Sequence, residues 1–179
     1  MGDVTGHDIA AASLMGQLRT ATRTLASLDL APADLLTRLD QITADLTDAE
    51  TSATCLYAAC DPGAGSCDIA SAGHPPPAVA RPGHPTAFPD LPSGLPLGTG
   101  LTDISYRATR PHLPRHSTLV LYTDGLIEDP AAGISSGMAR LARTLTTLSR
   151  LPVGQACDTL LATLAPSPAD DIAVLMART

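Results

Sequence analysis

The order of hydrophobic patterns along the chain restricts its fold more than any other feature. Leucines at helical spacing predict a helix over 9–28 and a second over 32–46. A block of strand-like segments follows, and helical spacing returns over 138–148 and 157–164. A last, apolar strand is expected over 171–177. Because strands and helices do not alternate, the order predicts an antiparallel α+β fold rather than a parallel sheet.

Alternating or continuous apolar segments mark the strands in the middle of the chain. The predicted strands are 53–60, 66–72, 103–110 and 117–122, with short edge strands at 78–81 and 86–88. Repeated prolines between Pro75 and Pro96 prevent long regular structure there. Since strands are predicted on both sides of this stretch, we interpret it as an ordered loop within a single domain that spans 1–179.

The charged residues exclude several functions. All 11 basic residues are Arg, the chain has no Lys and no Asn, and its net charge is −7. A P-loop and a Schiff-base enzyme both need a Lys, and an acidic chain with few aromatic residues is poorly suited to nucleic acid. The sequence contains neither a signal peptide nor a long apolar span, so we expect a cytoplasmic protein that does not contact a membrane.

The four cysteines are Cys55, Cys60, Cys67 and Cys157. Their spacing matches neither the ligand pairs of a zinc site nor the CxxC of a redox site. Because free cysteine is among the most buried residue types, we expect buried, reduced thiols at these positions.

Acidic residues stand beside small residues or strand ends at three places. Asp3 lies in GDVTGH, Asp124 lies in YTDGL, and Asp170 and Asp171 precede the last apolar segment. Each place alone is also what an ordinary turn or a solvated cap would contain. Together they offer the carboxylate oxygens that Mg²⁺ and Mn²⁺ prefer, and therefore predict a divalent cation site.

Five segments, in this order, resemble the metal-dependent protein phosphatases related to protein phosphatase 2C, in the bacterial branch typified by the stage II sporulation phosphatase. Residues 2–7 resemble the family's metal-binding GDVxGHG, and 72–77 resemble its AGHPPP. Residues 95–98 resemble its PLG turn, 121–128 its LYTDGLxE, and 170–173 its terminal DD[IM][AT]. The resemblance therefore extends over the whole chain.

This resemblance implies a four-layer αββα sandwich of two antiparallel sheets flanked by helices. It also implies a protein serine/threonine phosphatase in which Asp3 bridges two metal ions, Asp124 and Asp170 complete the shell of the first ion, and the carbonyl of Val4 binds the second. Mn²⁺ or Mg²⁺ would be the cofactor. A metal-activated water would attack phosphorus without a covalent enzyme intermediate.

The same resemblance implies a phosphorylated protein substrate of the anti-sigma-factor antagonist type, and an upstream sensor domain or a homodimer would fit this branch. Family members carry further strands and an acidic ligand before GDVxGHG, whereas here Met1 directly precedes Gly2. We therefore expect a sheet without the family's first strands and a second metal site with one ligand fewer. The alternative function is a catalytically weak or silent module that binds a regulatory partner.

Three residues near these motifs each have two interpretations. His7 either donates a proton to the leaving serine oxygen or is a structural histidine of the turn. His74 is expected to shape its turn rather than to act in catalysis. Asp8 either attracts a cation or caps the helix that starts at Ile9, and we favour the cap. Because that helix starts so close to Asp3, we also hypothesise that the helical hairpin acts as a regulatory lever on the metal site.

A formal G-x-S-x-G at 133–137 is the pattern of a serine-hydrolase nucleophile elbow. Such an elbow follows a strand, and in that class of enzyme the catalytic histidine comes after the serine. The last histidine of this chain is His116. We therefore reject a serine hydrolase.

Overall fold

The structure, a computed structural model, describes residues 1–47, 51–61, 63–101, 104–128, 133–165 and 171–179. The described chain divides into two compact units. Unit 1 comprises Met1–Asp61, Ser66–His74 and Asp90–Pro111, and unit 2 comprises Pro62–Gly65, Pro75–Pro89 and His112–Thr179. In chain order the elements are β1 (Gly2–Val4), α1 (Ile9–Ala26), α2 (Pro32–Leu46), β2 (Ala53–Asp61), β3 (Ser66–Ala72), β4 (Ala78–Ala80), β5 (Ser93–Gly94), β6 (Ala108–Thr109), β7 (Thr118–Tyr122), a 3₁₀ turn (Asp124–Leu126), α3 (Gly133–Leu148), α4 (Val153–Leu164) and β8 (Val174–Arg178).

Unit 1 is a sheet covered by the helices α1 and α2. Its strand order is β1-β2-β3-β5, and β6 also pairs with β3. All pairs are antiparallel except β3 with β5. Leucines of both helices are buried together with residues of the sheet, among them Leu14, Leu18, Leu35, Leu36 and Leu39. The helical leucine spacing therefore produces the face that packs on the sheet.

Unit 2 also consists of a sheet that packs against two helices, α3 and α4, but its sheet has fewer strands. Its sheet has the order β4-β7-β8, and both pairs are antiparallel. Every residue of β7 is buried, which fits its position in the centre of the sheet. The core of this unit combines β7 with the 3₁₀ turn and with leucines of α3 and α4, including Leu141, Leu145 and Leu160.

The α+β class is confirmed, and the described residues form two sheets and four helices. α1, α2 and β3 begin at the predicted residues, whereas α3 begins at Gly133 and α4 at Val153, several residues before the predicted starts. Residues 133–137 form the start of α3, so the G-x-S-x-G segment is helical. No helix in the described part of the chain is long and apolar enough to cross a membrane.

The strand predicted over 103–110 is wrong for most of its length. Within it the structure describes 104–110, and only β6 pairs with another strand. Tyr106 is buried, and its hydroxyl donates to the carbonyl oxygen of Leu95 at 3.2 Å. The apolar alternation therefore reflects the packing of one tyrosine against a loop and not a ladder of strand pairs.

The expectation of four reduced thiols is also wrong. Cys60 and Cys67 form a disulfide between β2 and β3, where they are direct partners in the register of the hairpin. Cys60 is exposed, whereas Cys67 is buried. Cys55 and Cys157 are free thiols, as expected, but both are partly exposed rather than fully buried.

Candidate metal centre

The GDVTGH segment begins with the edge strand β1 of unit 1. The N–H of Leu56 donates to the carbonyl of Met1 at 2.8 Å, and the N–H of Thr5 donates to the carbonyl of Ser52 at 3.0 Å. Since hydrogen-bonded and non-hydrogen-bonded pairs alternate in an antiparallel ladder, the intervening pair of Asp3 and Thr54 is of the hydrogen-bonded kind.

The same alternation decides where the backbone of Val4 points. Val4 pairs with Ala53 in the non-hydrogen-bonded position, so its carbonyl points away from β2. Within the described residues β1 pairs with no strand other than β2. The Val4 side chain is buried in the core of unit 1, which anchors the strand. A half-buried carboxylate at Asp3 and an outward carbonyl at Val4 are thus adjacent oxygen donors.

The loop after β1 leads directly into α1. Asp8 is the N-cap residue, and its Oδ1 accepts a hydrogen bond from the N–H of Ala11 at 2.8 Å. This confirms the capping role favoured for Asp8, since such a bond satisfies one of the orphan donors at a helix start. Gly6 has a φ of +100°, a conformation that side chains disfavour. His7 lies in this loop and is exposed.

Asp124 follows the central strand of unit 2. It opens the 3₁₀ turn, and its backbone carbonyl accepts hydrogen bonds from the N–H groups of Ile127 and Glu128, both at 2.7 Å. Its Oδ1 also accepts a bond from the N–H of Gly125 at 3.1 Å. The carboxylate is half-buried. A rigid backbone turn at the end of a fully buried strand therefore fixes the position of Asp124.

Thr123 joins this turn to the segment before β8. Its N–H donates to the carbonyl of Ala173 at 3.1 Å, and its Oγ1 accepts from the N–H of Ala173 at 2.9 Å. The same hydroxyl donates to the carbonyl of Asp171 at 3.4 Å. Within unit 2, Thr123 therefore connects the turn that contains Asp124 with the backbone of Asp171. Asp171 is exposed, and Asp170 lies outside the described residues.

The oxygen donors within each unit are of the chemical types that hard divalent cations bind. Asp3, Val4 and Asp124 supply carboxylate and carbonyl oxygens, the ligand types that Mg²⁺ and Mn²⁺ prefer. The described residues, which do not include Asp170, contain no cluster of three or more His, Cys, Asp or Glu side chains that could hold a metal ion. Of the predicted site residues, Asp3, Val4 and His7 belong to unit 1 and Asp124 belongs to unit 2.

Thr54 and His74 form a contact next to Asp3 that cannot be predicted from the sequence. His74 is buried, and its Nδ1 lies 2.9 Å from Oγ1 of Thr54, the register partner of Asp3. Thr54 carries no signal in the sequence, because only the strand register places it opposite Asp3. His74 could be found from its AGHPPP segment, but a turn-shaping role does not account for a hydrogen bond made by its ring.

The chain is similar to known proteins along its whole length. The family model described as stage II sporulation protein E (SpoIIE) matches residues 1–179. The solved RsbU and RsbW domains of Rv1364c from Mycobacterium tuberculosis are 29% identical, with a TM-score of 0.86, covering 98% of this chain and 50% of that chain. The SiaA-PP2C domain of Pseudomonas aeruginosa is 23% identical, with a TM-score of 0.80, covering 99% of this chain and 74% of that chain. RsbX in complex with magnesium is 16% identical, with a TM-score of 0.71, covering 98% of this chain and 77% of that chain.

The chain thus spans half the length of the mycobacterial protein chain it matches. The likeness to the SiaA domain shows that the two share the PP2C fold. Because the family model matches from the first residue to the last, the chain belongs to the stage II sporulation protein E family.

Proposed function

We propose that residues 1–179 act as one phosphatase domain that hydrolyses phosphoserine or phosphothreonine in a protein. The match of the SpoIIE family model over the whole chain carries this proposal. The PP2C fold shared with the SiaA domain supports it. Oxygen donors at a strand edge and at a fixed turn are what a metal-dependent reaction on a phosphate ester requires.

Asp3, Val4, Asp124 and Asp170 are the proposed ligands of Mn²⁺ or Mg²⁺. The outward carbonyl of Val4 and the partly exposed carboxylates of Asp3 and Asp124 support this assignment. RsbX, a structural relative, was solved with magnesium. When bound, divalent ions of this kind act as Lewis acids on phosphoryl oxygens and lower the pKa of water.

His7 is the proposed proton donor to the leaving serine or threonine oxygen. Its exposed position in the loop that follows Asp3 supports this role. General-acid catalysis of this kind contributes about 10²–10⁴-fold to the rate. We expect His7→Gln to lower kcat by an amount in this range and to leave the Mn²⁺ concentration for half-maximal activity unchanged. Equal activity of His7→Gln and the parent protein would make His7 a structural residue of the turn.

The proposed substrate is a phosphorylated regulatory protein of the anti-sigma-factor antagonist type. The pairing of RsbU and RsbW domains in the mycobacterial relative supports a role in partner switching. We propose that this protein acts in the cytoplasm, where a regulatory substrate of this type would be found.

The first experiment measures phosphate release from a phosphoserine protein with and without Mn²⁺. We expect Asp3→Asn and Asp124→Asn each to reduce the rate by at least about 100-fold, since loss of a ligand should exceed the effect of an outer-shell partner. Asp8→Asn and Asp158→Asn are matched controls, because each removes one carboxylate charge, the first beside GDVTGH and the second on α4. Both controls should keep near-parental activity, and asparagine at position 8 remains a good cap.

The alternative function, a silent module, predicts a different result. The parent protein would then release no phosphate at any Mn²⁺ concentration, although it remains folded. That outcome contradicts the proposed enzyme and favours a domain that binds a regulatory partner.

A further inference from the structure

Thr54 of β2 faces the proposed metal ligand Asp3 across the strand pair. The two residues are direct partners in the antiparallel register. Side chains of directly opposed residues lie on the same face of a sheet, with their Cβ atoms roughly 4.5–5.5 Å apart. The Thr54 side chain therefore limits the space in which the Asp3 carboxylate can move.

The orientation of the Thr54 side chain is set by His74. Its Oγ1 lies 2.9 Å from Nδ1 of His74, and the histidine is only 4% exposed. Threonine is branched at Cβ, so its staggered χ1 states place the hydroxyl in distinct directions. A hydrogen bond to a buried ring selects one of these states and fixes the position of the threonine methyl group with it.

His74 is itself held at several points. The hydroxyl of buried Ser71 donates to the His74 carbonyl at 3.1 Å. Gly73 has a φ of +67°, and a Cβ there would lie 2.8 Å from Cγ of Pro96. Gly73 also forms a parallel bridge with Cys55, the neighbour of Thr54. The ring of His74 is thus attached to a backbone that has little freedom to shift relative to β2.

From these contacts we infer that His74 and Thr54 are positioning residues that hold the Asp3 carboxylate in the orientation needed to bind a divalent cation. The inference deepens the proposed function and rests on it. Neither residue is required to touch the substrate or the reacting atoms. Residues that orient metal ligands typically change metal affinity by about 10–100-fold when they are replaced.

Thr54→Val tests this role with the least change in shape, because valine keeps the branched Cβ and removes the hydroxyl. We expect the Kd for Mn²⁺, measured by calorimetry, to rise by about tenfold, with kcat at saturating Mn²⁺ within about twofold of the parent. Thr54→Ser restores the hydroxyl and should bind Mn²⁺ with near-parental affinity. Thr118→Val is the matched control in unit 2, where a buried strand threonine accepts a bond from Nε of Arg178 at 3.0 Å, and it should leave the Kd unchanged.

A double-mutant cycle with His74→Ala separates a positioning role from general damage to the fold. If the two residues act through one hydrogen bond, the Kd of the double variant for Mn²⁺ should be about the same as the higher of the two single-variant Kd values. Additive losses in affinity would overturn the inference. An unchanged Kd in Thr54→Val, with activity retained, would also overturn it and would leave the proposed phosphatase function standing.

A measurement on the metal-free protein distinguishes failure of the inference from failure of the proposed function. Three-bond NMR couplings should report one χ1 state for Asp3 in the parent protein and averaged states in Thr54→Val. Averaged couplings in the parent protein would contradict the inference directly. If the couplings behave as expected but the parent protein binds no Mn²⁺, both the role in metal binding and the proposed function are wrong.

Discussion

Asp40 of α2 accepts a hydrogen bond through Oδ1 from the backbone N–H of Gly98, at 2.9 Å. Gly98 has a φ of +79°, and a Cβ at this position would lie 2.7 Å from Cγ2 of Thr43. The preceding residue, Leu97, exchanges two backbone hydrogen bonds with Ala53 at 2.8 and 3.1 Å. The turn that resembles the family's PLG segment is therefore held on one side by α2 and on the other by the start of β2.

Replacing Asp40 with alanine should destabilise the protein, because the N–H of Gly98 loses a charged acceptor in a partly buried position. We expect a loss of about 1–3 kcal/mol in the free energy of unfolding, measured with urea. Asp40→Asn keeps an acceptor oxygen and should lose less. Asp34→Ala, at an exposed position in the first turn of the same helix, is the control. Equal losses in Asp40→Ala and Asp34→Ala would show that the bond to Gly98 contributes little.

Gly137 of α3 should tolerate no side chain. A methyl group at this position would overlap the backbone carbonyl of Ile127, just after the 3₁₀ turn that begins at Asp124. We therefore expect Gly137→Ala to lower the free energy of unfolding by about 1–3 kcal/mol, the usual cost of overpacking. Gly16→Ala in α1 is the matched control, because a Cβ there would meet nothing within 4 Å. Helix propensity predicts that this control gains about 0.5–1 kcal/mol. A stabilised Gly137→Ala variant would contradict the close packing of α3.

Asp68 of β3 and Arg110, which directly follows β6, form a bidentate ion pair. Nε and Nη2 of Arg110 donate to the two carboxylate oxygens of Asp68 at 2.7 and 2.6 Å. These hydrogen bonds lower the pKa of Asp68 below its ordinary value. Its contribution to stability is therefore present above the unfolded-state pKa of about 3.9 and is lost as the pH falls through the lower folded-state pKa.

We expect Arg110→Gln to return the pKa of Asp68 to the ordinary range, as followed by an NMR titration of its carboxyl carbon. Because both side chains are in contact with solvent, added salt should weaken the effect in the parent protein. Arg107→Gln, at an exposed position in the same segment, should not change the titration. An unchanged pKa in Arg110→Gln would refute the assignment of its cause.

The cysteines should differ in their reactivity with iodoacetamide. Cys60 and Cys67 should be labelled only after reduction, because they form a disulfide. Burial raises the pKa of the Cys55 thiol, which reduces the reactive thiolate at a given pH. We therefore expect Cys157 to be labelled before Cys55 at pH 8, with the order read by mass spectrometry. Labelling of Cys60 in unreduced protein would show that the disulfide is absent.

The sequence was sufficient for features that depend on local pattern. Leucine spacing located the helices because each helix buries one face, and Asp8 was identified as a cap because its carboxylate serves the adjacent helix start. It was insufficient where distant segments meet. The partnership of Cys60 with Cys67 follows from the hairpin register, and the burial of Tyr106 follows from a loop that precedes it in the chain.

The candidate site shows the same division. Asp3 and Asp124 could be selected from short motifs, because each lies within a contiguous segment, Asp3 in the short strand β1 and Asp124 in the turn after β7. Thr54 could not be selected, because its importance comes from its pairing with Asp3 and from the ring of His74. A single sequence contains no direct record of strand register.

Four residues connect the end of β1 at Val4 to the start of α1 at Ile9. The N–H of Thr5 donates a hydrogen bond to Ser52, and Asp8 accepts one from the first turn of α1. Both ends of the short connection are therefore fixed by hydrogen bonds. We therefore expect a displacement of α1 to be transmitted to the strand that carries Asp3. This short connection is the physical basis of the hypothesis that the helical hairpin acts as a regulatory lever on the candidate metal site.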